Sequence, residues 1–537
     1  MIRFLNQETK NIASAATIVA AFAFLSRIAG FIRDRILAGR FGAGDTLDAY
    51  YAAFLVPDFL FSLLVVGALS ASFIPLFIKH YQGNKKSAWD FTNNVLNIAA
   101  VSIAIISVVL FILTPQIAEL IAPKFSQSKL DLVITFTRIM FVSDFLLALS
   151  AVFGSALQGM KRFLVYSLAP VLYNLGIIIG ATVLVPAMGP AGLAWGVVLG
   201  AGLHMLSQLI AISSAGYRYS WRWKLNDADT REMGKLMVPR TMGVAVNQLN
   251  NVAMIMIATT LVAGSVTMYQ FAYNIQFFVI GIVAVSFAVA AFPSLSEAAA
   301  RKDVDGFVDT FSTTARQILF FVIPASVLFL LLRAQIVRVV VGAGKFGWEE
   351  TITTADTLAF FTLSLFAQSL VFLLARGFYA WRDTATPFVV GLLTTFFNVI
   401  AALLFAKEFG VVGLGLSFSL SALVNVSVLW MALRLRVGSL KEGEILKSLF
   451  IISIAAMAGG IVTQLLKPVA ASIFHLETFL GILAQGLVAG GAGLIVYGMI
   501  AWALKSPEMI AFIASMERRL FKRFEPSESI SKDQTVA

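Results

Sequence analysis

Apolar runs of about twenty residues recur along almost the whole 537-residue chain, and no other feature narrows its fold so far. Each such run spans bilayer hydrocarbon as one helix, with its backbone polar groups bonded internally. The runs are continuous rather than alternating every second residue, which argues against a strand-built barrel. Only 13% of the residues are charged, about half the share usual in soluble chains. The expectation is an all-α polytopic membrane protein with about fourteen transmembrane helices. The spans fall at roughly 13–37, 48–78, 90–114, 131–158, 163–186, 190–214, 234–263, 266–294, 315–341, 354–380, 386–406, 410–433, 447–471 and 478–504. Lysine and arginine crowd the segments that face the cytoplasm when both termini lie inside, so both termini are expected there. The net charge of +11 follows from the same bias and implies no nucleic-acid partner.

Other chemistries are poorly provided for. The chain has no cysteine, so disulfides and thiolate sites are excluded. Its three histidines, His80, His204 and His475, have no metal-binding spacing. There is no Walker A lysine motif and no visible nucleophile–base set, so neither ATP hydrolysis nor another enzyme activity is expected. No cleavable signal is expected either, because the polar start Asn6–Lys10 leads into a full-length span.

The chain repeats itself. Gly159–Pro170 resembles Gly377–Pro387, each is followed by a span carrying an asparagine (Asn174, Asn398), and then comes Gly189-Pro-Ala-Gly-Leu193 or Gly410-Val-Val-Gly-Leu414. Tyr51 with Pro75 is matched by Tyr269 with Pro293. The common offset of about 220 residues predicts two parallel six-helix lobes, related by an axis along the membrane normal, plus two C-terminal helices. The expected divisions are a first lobe at 1–216, a cytoplasmic linker at 217–235, a second lobe at 236–436, spans thirteen and fourteen at 437–505, and a cytoplasmic tail at 506–537. The aromatic and basic Tyr217–Lys235 stretch suits a helix lying at the lipid interface, as does the start of the tail.

Charges inside the spans mark candidate functional residues. An arginine at mid-membrane costs at least about 2.5–3.5 kcal/mol on insertion scales, so it normally faces a bundle interior or a wet cavity. Arg27 and Arg33 sit about 120° apart on an ideal helix, and Gly30 between them allows a bend that turns both toward one cavity. Asp34 and Arg35 follow near the outer mouth, while Arg35 and Arg40 also suit snorkelling to the interface. Asp58 and Asp144 lie within spans two and four, and Arg138 precedes Asp144 by six residues. These carboxylates serve either a structural ion pair or polar clamp, or transport. Arg376 lies near Asp383, where a lobe-internal pair at the cytoplasmic end competes with a cavity or gating role.

Several of these residues carry a family resemblance. Ser26-Arg27-x-x-Gly30-x-x-Arg33-Asp34, Phe41-Gly42-Ala43-Gly44, Asp48-Ala49, Pro57, Gly67-Ala68, Phe73 and Pro75 resemble the first two spans of the MurJ (MviN) lipid II flippases. Phe292-Pro293-Ser294-Leu295-Ser296, Gly344-Lys345-Phe346 and Gly377–Pro387 resemble that family's second-lobe marks. The resemblance implies a MOP-superfamily exporter of the bacterial inner membrane that participates in peptidoglycan synthesis and cell shape. Its cargo would be lipid II, the undecaprenyl-pyrophosphate-linked peptidoglycan precursor, moved from inner to outer leaflet by alternating access through a cationic cavity. Arg27, Arg33, Asp34 and Asp48 would contact the substrate; arginine suits it because its planar fork donates paired hydrogen bonds to pyrophosphate. The chain departs from the family where many members carry span-two and span-eight charges: here stand Phe61-Ser62, Val66, Tyr273-Asn274 and Phe277. That departure keeps two alternatives open, an exporter of another polyprenyl-linked oligosaccharide or amphipathic drug, and a non-transporting scaffold for cell-wall enzymes. Some relatives bind sodium, which implies a metal site at Asp383, Thr394 and Asn398, although the expected span-seven acid is an amide (Asn247 or Asn250). With no ATP motif, the expected driving force is the membrane potential, an ion gradient or downstream consumption of the product.

Overall fold

The computed structural model describes residues 12–63 and 69–521, and the described residues are helical throughout, with short connections. Helix α1 (Ile12–Phe41) leads into a second span broken into α2 (Asp45–Ala53), α3 (Leu55–Phe61) and α4 (Leu69–Gly83). The first break has a simple cause. Pro57 has no N–H to offer the Ala53 carbonyl, and the Thr137 hydroxyl donates to that oxygen instead, at 3.2 Å. Helices α5 (Lys85–Ile121), α6 (Gln127–Gly159), α7 (Phe163–Ile179), α8 (Val185–Met188) and α9 (Ala191–Ser214) complete the first lobe. A π turn at Gly180–Leu184 joins α7 to α8 in one span. The backbones of α7 and α9 touch: a Cβ on Gly176 would lie 2.2 Å from Gly200. Only glycine permits that approach, which gives the two helices close van der Waals packing.

The second lobe follows with α10 (Ala228–Ala258), α11 (Ser265–Val279), a π turn at Ile280–Ala284, α12 (Val285–Ala300), α13 (Val304–Leu331), α14 (Arg333–Val340), α15 (Trp348–Leu363), α16 (Leu365–Ala380), α17 (Ala385–Phe409) and α18 (Val411–Val437). Helices α15 and α16 form one span bent by 47°. The chain ends in α19 (Glu442–Ile473), α20 (Phe479–Ala503) and the amphipathic α21 (Pro507–Phe521). Among the described residues, ten helices are long and apolar enough to cross a membrane, or eleven with the bent pair. The expected total of fourteen is not established by that count. Helix α1, the broken second span and α10, whose apolar part is only Val244–Ala258, fall outside it.

The apolar cores show how the lobes meet. One core draws on both lobes, with Leu37, Tyr50 and Phe136 packed beside Tyr269, Val341 and Phe346. The other two are separate: one holds first-lobe residues such as Phe73 and Phe153, the other second-lobe residues such as Phe307 and Leu374. The lobes are therefore fused at one end and divided at the other, which leaves a cleft between them.

Between the lobes the sequence predicts an interfacial helix over Tyr217–Lys235, and the structure differs. The helix begins only at Ala228, and the preceding residues form an irregular strap. Three buried asparagines on α5 cause this, because they offer the strap's backbone better partners than a helix would. Asn93 donates to the Arg218 carbonyl, Asn97 to that of Arg222, and Asn94 to that of Lys224, each at 3.0 Å. Asn94 also accepts the Lys224 N–H at 2.6 Å. The helix expected at the start of the tail does form, as α21. The motif residues Gly67 and Ala68, Val66, and the tail beyond Phe521 lie outside the described residues.

Candidate functional site

Two adjoining cavities open in the cleft. The first, about 270 Å³, is lined by Ser26, Arg27, Gly30, Phe31, Arg33 and Asp34 of α1, Asn174 of α7, and Tyr273, Asn274 and Phe277 of α11. The second, about 240 Å³, is lined by Arg33, Tyr50, Tyr51, Phe54, Leu55, Asp58, Tyr173, Ile177, Asn251, Ile255, Gln270 and Asn274. Arg33 and Asn274 line both, so the two form one polar path between the lobes.

Arg33 is held in place from two sides. Its guanidinium donates to Asp34 Oδ1 at 2.8 and 2.9 Å, and to Asn174 Oδ1 at 3.0 Å. Asn174 is oriented in turn by the Pro170 carbonyl at 3.0 Å. Asp34 Oδ2 accepts from Asn274 Nδ2 across the cleft at 3.4 Å, and Gln270 Nε2 donates to Asn274 Oδ1 at 3.1 Å. Arg27 is different. Among the described residues its guanidinium has no acceptor, and it lies 5.4 Å from the Phe277 ring centroid. The space it occupies exists because residue 281 is glycine: a Cβ there would stand 2.7 Å from Arg27 Nη2. Gly281 belongs to the π turn of the eighth span, and π turns often mark functional positions. Arg40 donates to the Ala181 carbonyl at 2.7 Å, so an arginine of α1 meets each π turn. That contact, and Arg35's donation to the Val339 carbonyl at 2.7 Å, place both residues in packing between helices rather than free at an interface.

Asp48 sits apart from the cavities. It is 1% exposed and accepts from Lys129 Nζ at 2.9 Å, Gly264 N–H at 2.7 Å, Thr267 N–H at 2.9 Å and Thr267 Oγ1 at 2.8 Å. Its carboxylate thus caps the start of α11 and ties the first lobe to the second. Gly264 has a φ of +90°, and a Cβ there would lie 2.5 Å from the Ala43 carbonyl oxygen. Lys345 N–H donates to the Gly39 carbonyl at 2.9 Å beside this latch. In this conformation Asp48 has no lone pair turned toward the cavity and acts on the lobes, not on a ligand.

The other candidates separate into groups the sequence did not predict. Asp58 is exposed to the second cavity, while Asp144 is 4% exposed. Arg138 does not pair with Asp144. It points away to α5, where it donates to the Phe111 carbonyl at 3.3 Å and stacks on the Phe111 ring. Arg376 does not pair with Asp383 either. It donates to the Phe372 carbonyl at 3.3 Å, and Asp383 takes Arg436 at 2.8 Å. Burial opposes ionisation of Asp383, but the Thr386 N–H and hydroxyl and Arg436 outweigh it and hold the carboxyl below its usual range.

The three residues of the expected sodium site do not converge. Asp383 lies in the turn before α17, whereas Thr394 and Asn398 are buried farther along that helix. There Asn398 donates to Asn250 Oδ1 at 2.8 Å, and Asn425 donates to Thr394 Oγ1 at 3.2 Å. This is a neutral amide cluster. Among the described residues no group of three His, Asp or Glu side chains is placed to hold a metal.

Sequence reasoning missed the wall that faces the arginines. Asn174, Tyr273 and Asn274 line the cavity, and an amide inside an apolar span is the signal that would have flagged the two asparagines.

A family model described as "Lipid II flippase MurJ" matches residues 37–484. A protein of Vibrio cholerae named "Probable lipid II flippase MurJ" is 28% identical over 499 residues, which cover 89% of this chain and 92% of the relative. The fold is similar to a solved lipid II flippase MurJ in an inward closed conformation, with a TM-score of 0.74 at 24% identity over 91% of this chain and 99% of that one. It is also similar to an inward-facing multidrug resistance MATE family transporter of the MOP superfamily, with a TM-score of 0.65 at 16% identity over 80% of this chain and 99% of that one.

Proposed function

The chain belongs to the MurJ lipid II flippase family, and on that premise we propose that it moves lipid II across the membrane through the cleft described above. It is a multi-pass membrane protein of a bacterial transporter family, and its substrate is the lipid-linked peptidoglycan precursor. Arg33, held by Asp34 and Asn174 at the junction of both cavities, is the observation that carries the reading. Moving a pyrophosphate through hydrocarbon requires cationic partners along the way, because an unpaired anion is costly to bury. Arg33 offers a fixed guanidinium and Arg27 a free one. Together they form a two-point cradle that does not need the missing span-two and span-eight charges.

The lobes alternate about the latch. Fusion at the Asp48 end with separation at the other gives a cleft that receives the headgroup from the cytoplasmic side, with both termini inside and the lobes joined through residues 217–235. Release of Asp48 from Gly264 and Thr267 opens the outer side. The membrane potential assists return of the empty cationic cavity, since one charge crossing 100 mV changes the energy by about 2.3 kcal/mol. No step is assigned to sodium, because the residues present offer no carboxylate at the amide cluster. The strap and tail are the surfaces available to cell-wall synthesis proteins.

The test is replacement of a host flippase. The native chain should rescue a bacterium depleted of its own lipid II flippase, and an Arg27→Ala, Arg33→Ala version at matched abundance should not. Equal rescue by both would overturn the cradle; no rescue from an inserted native chain would overturn lipid II as cargo.

A further inference from the structure

The second cavity holds a carboxyl pair that the flippase reading does not use. Asp58 faces the cavity from α3, and Asp144 lies behind it on α6, which packs directly against α3. The two carboxyls and Tyr173 are within electrostatic reach of one another. Asp144 is 4% exposed and its Oδ2 has no hydrogen-bond partner among the described residues. The Tyr51 hydroxyl on the same cavity wall is also unpartnered and 8% exposed.

Among the described residues no cation is ion-paired with either carboxyl; Arg33 lines the same cavity, but its guanidinium is committed to Asp34 and Asn174. Tyr50, Tyr51 and Tyr173 are the other titratable groups facing the cavity from α2 and α7, and α10 and α11 present only amides and apolar groups there. On the α9 side, His204 is bonded to Ser150 at 2.7 Å, farther along α6. Helix α5 carries its charges only near its ends. Two unpaired carboxylates this close, one of them fully buried, cannot both stay ionised in a low-dielectric interior.

We propose that Asp58 and Asp144 form a proton-binding site on the wall of the translocation cavity. The proton is held on Asp144 and exchanges with cavity water by way of Asp58. No covalent bond forms or breaks beyond O–H, and no co-reactant is required. The site does not depend on the identity of the cargo.

Infrared difference spectroscopy on the purified full-length chain in lipid nanodiscs tests it. The native chain should show a protonated-carboxyl C=O band at neutral pH that shifts in D2O and disappears under alkaline conditions. Asp144→Asn, a neutral isostere of the protonated acid, should lose that band. Asp58→Asn should keep it and move its disappearance to less alkaline pH, because the neighbouring negative charge that opposes loss of the proton is gone. Identical native and Asp144→Asn spectra would overturn the proposal, as would loss of the native band on adding sodium chloride at fixed pH, which would mark a metal-cation site instead. Lipid II movement measured on the same preparations separates the two readings. A band that behaves as expected with no lipid II movement supports the proton site while overturning the flippase assignment.

Discussion

In the first lobe Asn174 reaches from α7 to Ser26 on α1, and in the second Asn398 reaches from α17 to Asn250 on α10. Each pair is separated by 148 residues, so the two contacts are the same contact repeated. What surrounds them differs. Asn174 also accepts from Arg33, which is paired with Asp34, whereas the corresponding turn of α10 is Ile257-Ala258 and carries no charge. Asn398 instead joins a cluster of amides and a hydroxyl that lines neither cavity. One ancestral frame thus holds a guanidinium at the cavity in one lobe and closes on itself in the other. Repetition fixes where polar side chains cross between helices; it does not fix which of them meets a ligand.

The sharpest test of that asymmetry is to remove each half in turn. A charge-assisted hydrogen bond is worth about 1.5–3 kcal/mol, so Arg27→Ala with Arg33→Ala should lower lipid II translocation in vesicles by more than about a hundredfold. Asn250→Ala with Asn398→Ala should lower it by less than about threefold, since neither residue touches the cavity. Comparable losses would break the comparison.

Asp48→Ala comes next. It leaves buried Lys129 with only the exposed Asp45 and strands the donors of Gly264 and Thr267, and breaking a buried ion pair costs about 3–5 kcal/mol. Thermal unfolding should report that loss, and spin labels at Ala43 and Ala263 should show the lobes parting. Asn398→Ala alone should cost about 1 kcal/mol of stability, the usual size for one buried hydrogen bond. A gain-of-function variant sharpens the same point: Asn250→Asp, placing a carboxylate against Asn398, should create a sodium-dependent rise in melting temperature that the native chain lacks.

The smallest effect belongs to Asp383 and Arg436, a partly exposed pair worth less than about 1 kcal/mol. Asp383 is held below its ordinary value of 3.8, so the folded state binds the proton less readily than the unfolded one. Its stabilisation is therefore complete at neutral pH and is lost only as the pH falls through the depressed value. Melting temperatures of the native chain and Arg436→Ala should differ slightly at neutral pH and converge only under strongly acidic conditions.

Much of the architecture was legible because hydrocarbon leaves a chain few choices. Apolar runs must be helices, and the repeated Gly159–Pro170 and Gly377–Pro387 segments mark two lobes. Arg27 and Arg33 were legible for the same reason, since a charge at that depth must find a polar place. Partnerships were not. Arg138 precedes Asp144 by only six residues, yet it turns to Phe111 on the neighbouring helix. Asp383 appeared close to Arg376 in sequence, but the turn before α17 delivers it to Arg436. The strap's aromatic and basic pattern suits a helix, but that pattern says nothing about three asparagines more than a hundred residues earlier.

The sequence alone, then, determined that this chain crosses the membrane many times in two repeated halves and that its first span carries buried positive charge. The solvent enforces those outcomes residue by residue. Only the tertiary structure decided that Asp48 binds the other lobe, that Arg33 is fixed while Arg27 has no acceptor among the described residues, and that Asp144 Oδ2 has no partner among them. Each of those depends on which distant backbone or side chain arrives within hydrogen-bond distance, and helix packing alone sets that.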